Sequence, residues 1–260
     1  MNNIIRNFTA NRLIMNFLQS AGRYFILLSR VFAKPEKHKI YYKQTIREIE
    51  SLGINSFGIV VIISLFVGAV ITIQTNYNIE NPLLPRYLVG VTVRDSLLLE
   101  FSSTMVALIL AGKVGSSISS EIGTMRVSEQ IDALEIMGVN SASYLILPKI
   151  VAAVFFFPIL SLLSMFIGIF GGYVLCLLTE VVSPVDYIYG IQYVFYPHYV
   201  SYALTKVVFY AFIIVTISAY QGYYAHGGSL EVGKSSTRAV VHSSILVLLA
   251  NLVLTQLILA

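Results

Sequence analysis

Five long apolar runs constrain the fold of this chain more than any other feature of its sequence. A helix needs roughly 20 apolar residues to cross about 30 Å of hydrocarbon. Because 57% of the residues are hydrophobic and only 12% are charged, the composition does not fit a soluble domain. We predict an all-α polytopic membrane protein with transmembrane helices at 57–75, 96–118, 150–178, 202–221 and 240–259.

The third run is longer than one crossing needs. As a helix that rises about 1.5 Å per residue, it measures about 43 Å. It must therefore tilt in the bilayer, protrude from it, or break near Pro158. Between the other runs we expect loops at 76–95, 179–201 and 222–238.

The distribution of positive charge predicts the orientation of the chain. Nine of the seventeen Lys and Arg residues precede Phe57, and positive charge collects on the cytoplasmic side of membrane proteins. Since five spans place the termini on opposite sides, we predict N-in/C-out. The net charge of +4 is explained by this asymmetry, and we expect no nucleic-acid partner.

Residues 1–55 are predicted to form cytoplasmic and interfacial helices, and residues 56–260 a five-span domain. The segment 12–33 has the pattern of an amphipathic helix that lies in the membrane interface. Lys34 and Pro35 end it, because proline cannot continue a helix, and a polar helix at 37–52 leads to the first span. No cleaved signal peptide is expected. The apolar face of the first helix consists of Leu13, Ile14, Phe17, Leu18, Ala21, Phe25, Leu28 and Phe32.

A charged, amphipathic segment at 119–138 separates the second and third runs. Its apolar residues can line one side of a short helix or helix pair, namely Ile122, Met125, Ile131, Leu134 and Met137. A merely solvated loop would not need this apolar set, so we favour a docking helix at 121–135 that contacts a soluble partner. The residues expected to make the contact are Glu121, Ile122, Met125, Arg126, Glu129, Gln130, Asp132, Leu134 and Glu135.

Glu100 lies one turn inside the second run, where burying a charge costs about 2.5–3.5 kcal/mol on insertion scales. Two interpretations stay open, namely contact with a headgroup or ion in a cavity, or a structural hydrogen bond between helices. We expect Lys206, in the fourth run, to extend its ammonium to the membrane surface. His242 has no carboxylate at metal-ligand spacing, which disfavours a metal or proton-relay role.

Residues 228–235 match the phosphate-binding pattern GxxxxGK[ST]. That loop binds phosphate because a strand and a following helix in a parallel sheet position its amides. The apolar residues that follow here leave no room for a sheet, so we interpret the segment as a connector. We expect no nucleotide site, no metal site and no catalytic residues, since Cys176 is the single cysteine and no catalytic motif is visible.

Small residues recur at four-residue steps in the second and third runs. Such ladders let helix backbones approach closely, either within one chain or across a dimer. They consist of Ala107, Ala111, Gly115, Ser119 and Gly123, and of Ser164, Gly168 and Gly172.

Several stretches of the chain match the pattern of one family of membrane proteins. They are residues 111–123, the pairs Met125-Arg126 and Glu129-Gln130, Met137, the glycine-rich loop at 227–233, residues 237–244, and the pair Leu254-Thr255. In these residues the chain resembles the MlaE family, the permease subunits of lipid-transporting ABC systems that work with MCE proteins. The resemblance covers nearly the whole chain.

This resemblance implies a non-catalytic, multi-pass subunit of the bacterial inner membrane that forms a homodimer. It implies two cytoplasmic ATPase subunits, which bind ATP and Mg²⁺ and dock on the segment at 121–135, called the coupling helix. A periplasmic MCE-domain protein would lie on the outer face. Phospholipid would occupy an outward-facing cavity at the dimer centre, and by position its binding residues would be Ile73, Gln74, Asn76, Leu99, Glu100 and Phe101.

The chain departs from the family pattern beside Glu100. The family commonly has Arg-Glu-Leu-Gly-Pro where residues 99–103 read Leu-Glu-Phe-Ser-Ser. The missing arginine removes a group that could bind a phosphate through two hydrogen bonds. We expect ATP-driven transport of phospholipid between the inner and outer membranes. The alternative is an ion- or proton-coupled carrier that uses Glu100, Lys206 and His242.

Overall fold

A computed structural model of the protein describes residues 2–33, 38–79, 84–179 and 181–259. In these residues the protein is built from helices. The α-helices are α1 (Asn2–Val31), α2 (His38–Glu48), α3 (Asn55–Asn78), α4 (Leu88–Ser96), α5 (Val106–Leu110), α6 (Ser116–Val127), α7 (Gln130–Ile136), α8 (Ser141–Thr179), α9 (Pro184–Gln192), α10 (His198–Tyr223) and α11 (Ser229–Leu259). Wider π-helical turns join some of them at Ile49–Ile54, Leu97–Met105 and Ala111–Gly115.

In the part of the chain that the structure describes, five helical stretches are long and apolar enough to cross a membrane, and each coincides with one of the predicted runs, of which the last ends one residue beyond its stretch. The five-span, all-α fold is therefore confirmed. We name the stretches span 1 (Tyr41–Asn78), span 2 (Leu88–Val127), span 3 (Ser141–Thr179), span 4 (His198–Tyr223) and span 5 (Ser229–Ile258).

Span 3 is one continuous helix of 39 residues that contains both Pro148 and Pro158. At about 1.5 Å per residue it is about 58 Å long, so it tilts or protrudes rather than breaks. The predicted loop at 222–238 is wrong in its second half, because span 5 already begins at Ser229. There the exposed side chains of Glu231 and Lys234 form an ion pair one turn apart, which supports the first turn of the helix.

The predicted ladders of small residues pack within the single chain. A Cβ atom on Gly68 of span 1 would overlap the carbonyl oxygen of Gly168 in span 3, so these two backbones are in direct contact. On span 2, a Cβ atom on Gly115 would lie 2.8 Å from Ser218 Oγ of span 4. Spans 1 and 3, and spans 2 and 4, therefore approach closely without a second copy.

Helix α1 packs against the spans through one face and leaves part of its predicted apolar face exposed. Leu27 and Val31 are buried, and Tyr24 donates a hydrogen bond to Thr216 Oγ1 of span 4 at 2.9 Å. Phe25 and Phe32 are exposed, as the predicted position in a membrane interface requires. The side chains of Leu13, Ile14 and Phe17, and all of Lys34 and Pro35, lie outside the described residues.

Helix α2 runs through a π-helical turn into α3 without an intervening loop. The predicted domain boundary between residues 55 and 56 thus falls inside a continuous helix, and the division into two domains stays a prediction. At the other end of the spans, the buried Arg94 donates to the carbonyl oxygens of Ile191 and Tyr193 at 2.9 and 2.7 Å. These hydrogen bonds satisfy orphan carbonyls at the end of α9.

Candidate functional site

Glu100 lies at the centre of a polar cluster formed by spans 2, 4 and 5. Its backbone belongs to the π-helical segment Leu97–Met105. Such wide turns are rare and are frequently found at functional sites. The carboxylate is bound through both oxygens, and its side chain is 39% exposed. A charge in this position needs partners or water, because hydrocarbon offers it neither.

Lys206 of span 4 provides the positive charge of the cluster. Its Nζ lies 2.8 Å from Glu100 Oε1, and its side chain is 0% exposed. The ammonium also donates to Tyr202 OH at 3.1 Å and to Thr255 Oγ1 at 3.2 Å, and it lies 4.7 Å from the centre of the Tyr202 ring. The prediction that Lys206 extends to the membrane surface is therefore wrong, since its side chain is buried and the partly exposed carboxylate of Glu100 holds it inside the bundle.

Span 5 completes the cluster with amide and hydroxyl groups. Asn251 Nδ2 donates to Glu100 Oε2 at 3.1 Å, and Thr255 Oγ1 donates to Glu100 Oε1 at 3.2 Å. Thr104, one turn along span 2, also donates to Oε2, at 3.1 Å. Tyr210 fixes the amide of Asn251 by donating to its Oδ1 at 2.8 Å. Each oxygen of the carboxylate therefore accepts at least two hydrogen bonds.

Two interpretations of Glu100 were open. The structure shows the hydrogen bonds between helices that the second one predicts. The Glu100–Lys206 pair is neutral as a whole, so the cluster offers no uncompensated charge. The exposed edge of the carboxylate still faces outward and can contact a ligand. Sequence reasoning did not find the partners Lys206, Asn251 and Thr255 together, although a lysine inside an apolar run signals an intramembrane partner.

The predicted coupling segment is a pair of helices, α6 and α7, at the end of span 2. Glu129 joins them in the left-handed backbone conformation, with φ of 61°. Residues other than glycine rarely adopt this left-handed conformation, so Glu129 marks a sharp and specific turn. At this turn Ser128, Glu129 and Gln130 are exposed, and Arg126 Nη1 lies 2.6 Å from Asp132 Oδ1 across the pair.

The apolar residues of the coupling segment do not form one docking face. Ile122 and Ile131 are completely buried in the core of this chain, so another protein could not reach them without unfolding. Met137 is exposed, together with Ile136 at 87%. The predicted apolar set is thus divided between buried and exposed positions. The reason is that helix α6 packs against spans 4 and 5, which buries part of the set.

A hydrogen-bonded group ties the coupling segment to the spans. Ser141 Oγ donates to Glu135 Oε1 at 2.9 Å, and Tyr223 OH donates to the same oxygen at 3.0 Å. The hydrogen bond from Ser141 is the main reason that the pKa of Glu135 lies below its ordinary value. Glu135 therefore stays ionised at neutral pH and holds the start of span 3 and the end of span 4 to α7.

The segment that resembles a phosphate-binding loop has the wrong structure for one. Residues from Ser229 onward are already helical, whereas a phosphate cradle needs an extended loop before the helix. His242 is paired with Gln221, whose Nε2 lies 2.9 Å from the imidazole Nδ1. Among the residues that the structure describes, no three His, Cys, Asp or Glu side chains are placed to hold a metal ion.

Comparison with known proteins assigns this arrangement to a family. The family model described as Permease MlaE matches residues 45–257, which include the coupling segment and all of the five predicted runs except the last two residues of the fifth. The chain belongs to the MlaE permease family. It is also 34% identical over 252 residues to a probable ABC transporter permease protein of Rickettsia prowazekii, covering 94% of this chain and 93% of the relative.

Two further relatives of this MlaE-family chain carry names that describe more of their biology. One is the intermembrane phospholipid transport system permease protein MlaE of Haemophilus influenzae, 30% identical over 244 residues, which are 93% of each chain. The other is the chloroplastic protein TRIGALACTOSYLDIACYLGLYCEROL 1 of Arabidopsis thaliana. It is 30% identical over 240 residues, which are 89% of this chain and 66% of the relative.

The six residues predicted to bind lipid lie in different surroundings in this MlaE-family structure. Ile73 and Gln74 are exposed on span 1, and Asn76 is half-buried nearby. Phe101 lines a crevice between spans 1 and 2 of about 10 Å³, which is too small for an acyl chain. Leu99 is half-buried beside Glu100 and accepts a long hydrogen bond from Lys206 through its carbonyl oxygen. Their role in lipid binding stays a prediction.

Proposed function

We propose that this chain is the non-catalytic permease subunit of an ABC transporter that moves phospholipid between the inner and outer membranes. The observation that carries the proposal is an exposed polar helix pair attached to the spans of an MlaE-family chain. The name of the Haemophilus influenzae relative, an intermembrane phospholipid transport system permease protein, supports phospholipid as the cargo. A separate cytoplasmic ATPase pair would bind ATP and Mg²⁺, and the chain would reside in the bacterial inner membrane.

The ATPase would contact the exposed turn of the coupling segment rather than its apolar face. Glu129 and Gln130 lie at this turn, and Ile136 and Met137 add an exposed apolar edge. A polar rim beside a small apolar patch is the usual composition of a protein interface. Ile122 and Ile131 would instead transmit force, because they anchor the segment in the core.

A homodimer would complete the lipid cavity. In the single chain the exposed side of span 1 carries Ile73 and Gln74, while Glu100 and Phe101 are partly exposed on span 2. Two copies that face each other through these surfaces would enclose a space with apolar walls and a polar edge, as a phospholipid requires. The MCE-domain protein would contact the opposite end of the spans from the coupling segment, near α9.

Charge reversal in the coupling segment tests the proposal. Glu129→Lys should release the co-purifying ATPase, because it inverts an exposed charge at the centre of the proposed contact. Asp186→Lys is the matched control, since Asp186 lies in α9 at the other end of span 3. Retention of the ATPase by Glu129→Lys would contradict the contact, whereas its loss from both variants would indicate general damage.

A second candidate function is an ion- or proton-coupled carrier, because the Glu100–Lys206 pair lies inside the membrane-spanning bundle. Paired ionisable groups in spans commonly mark ion or proton pathways. The two functions differ in their energy source. Uptake that collapses with the proton gradient and needs no ATPase would favour the carrier, whereas transport that stops on removal of ATP would favour the ABC subunit.

A further inference from the structure

Lys149, near the start of span 3, joins three segments that are distant in the sequence. Its side chain is 2% exposed, and its Nζ lies 2.7 Å from Glu48 Oε1 and 2.8 Å from Glu121 Oε2. Glu48 is the last residue of α2 and lies near the start of span 1. Glu121 belongs to α6 of the coupling segment. One buried ammonium thus connects the entrance of span 1, the coupling segment and span 3.

The two carboxylates hold Lys149 with different strength. Glu48 is 17% exposed, whereas Glu121 is 50% exposed. Water screens an exposed ion pair and weakens it, while a buried ammonium cannot lose all its partners without a large penalty. The contact with Glu48 is therefore the stronger of the two.

The connectivity of the helices explains why such a contact is needed. Helix α6 is the last part of span 2, and α7 leads within a few residues to span 3. A displacement of the coupling segment therefore reaches spans 2 and 3 along the backbone. It reaches span 1 through side-chain contacts, among which Glu48–Lys149–Glu121 is charged and is centred on a buried ammonium. A second contact lies nearby, where the ring of Phe156 packs directly on Gly53.

We propose that Lys149 is a positioning residue that couples the movement of the coupling segment to span 1. The proposal rests on the proposed function, in which an ATPase moves that segment. Glu121 transmits the movement to Lys149, and Lys149 transmits it to Glu48 and the first turns of span 1. Because span 1 carries Ile73 and Gln74, this linkage would change the shape of the proposed lipid cavity when the ATPase closes.

The functional test compares variants of Lys149 and Glu121 in the assembled transporter. Lys149→Met and Glu121→Gln should each lower the phospholipid moved per ATP hydrolysed by about fivefold or more, and Lys149→Met should do so while ATPase binding and hydrolysis are kept. Lys149→Arg should restore most of the ratio, since a guanidinium can hold both carboxylates. The matched control is Lys234→Met, which removes an exposed, ion-paired lysine and should leave the ratio unchanged.

A distance measurement separates this proposal from the proposed function, because it needs only the purified full chain. Cys176 is the single cysteine and is buried, so spin labels can be placed at Thr124→Cys of α6 and Tyr42→Cys of α2, both exposed. Pulsed electron paramagnetic resonance should give one narrow label-to-label distance when Lys149 and Glu121 are both unchanged, and a broad distribution in Glu121→Gln. Glu121→Gln carries the test even where Lys149→Met does not fold.

Two results would overturn the proposal. One is a label distance that stays equally narrow in Glu121→Gln and Lys149→Met. The other is an unchanged ratio of phospholipid to ATP in a transporter that is otherwise active. If the chain has no ATPase partner and the label distance nevertheless broadens, the proposed function fails while the mechanical linkage by Lys149 stands.

Discussion

Removing one charge of the Glu100–Lys206 pair should lower the stability of the protein by an amount that depends on which charge remains. The two groups lie 2.8 Å apart, and their attraction is about 6 kcal/mol at an effective dielectric constant of about 20. Desolvation offsets part of this attraction. Measured losses when one partner of a buried pair is removed are about 3–5 kcal/mol.

Glu100→Gln strands the lysine, whose side chain is 0% exposed. The new amide can still accept a hydrogen bond from Nζ, so we expect the lower end of that range, about 3 kcal/mol. Lys206→Met strands a carboxylate that is 39% exposed and still accepts hydrogen bonds from Asn251 and Thr104. We expect about 1–2 kcal/mol for this variant.

The assay is thermal unfolding of the purified chain in detergent, in a double-mutant cycle. At about 2–4 °C per kcal/mol for a protein of this size, Glu100→Gln should lower Tm by about 6–12 °C. Glu100→Gln combined with Lys206→Met should be less damaging than Glu100→Gln alone, because no charge is left stranded. If the two single variants lowered Tm equally, the exposed edge of Glu100 would face lipid rather than a cavity. Additive losses would refute the coupling of the pair.

Three further predictions concern packing, acid stability and α9. Gly68→Ala should prevent the contact with Gly168 and lower Tm markedly, since its Cβ would overlap backbone; an unchanged Tm would mean that spans 1 and 3 can separate there. Because the pKa of Glu135 is lowered, it stabilises the fold above the unfolded pKa, and this contribution is lost as pH falls through the folded pKa. The Tm difference between wild type and Glu135→Gln should therefore be present at pH 7 and close below about pH 4.5; a constant difference would contradict the ionised state. Arg94→Gln should free the end of α9 and accelerate its cleavage by added protease, while unchanged cleavage would show that other contacts hold the helix.

The fold followed from the sequence because hydrophobicity decides which segments enter a membrane. Four of the five runs lie inside observed spans and the fifth extends one residue beyond its span, and the charged segment is helical, as its pattern predicted. The ends of the spans were less accurate. Span 5 begins at Ser229, where glycine and serine suggested a loop, because packing of the first turns against span 2 stabilises residues that have low helix propensity.

The polar cluster could be predicted only in part. Glu100 was identified from its position in an apolar run, but its partner Lys206 is 106 residues away in the sequence. No periodicity links two charges on different spans, so the pairing depends on tertiary packing. The same limit applied to Ile122 and Ile131, because an apolar helix face indicates burial but does not say whether the same chain or a partner covers it.

Reconstitution tests the central claim, a permease subunit powered by a separate ATPase, most directly. The tagged chain would be purified mildly from its own host with its associated subunits and placed in vesicles that contain labelled phospholipid. If the chain is such a subunit, an ATP-hydrolysing protein should co-purify with it, and the lipid should move only when ATP is present. Movement that is independent of ATP and collapses with a proton gradient, in a preparation without an ATPase, would contradict it.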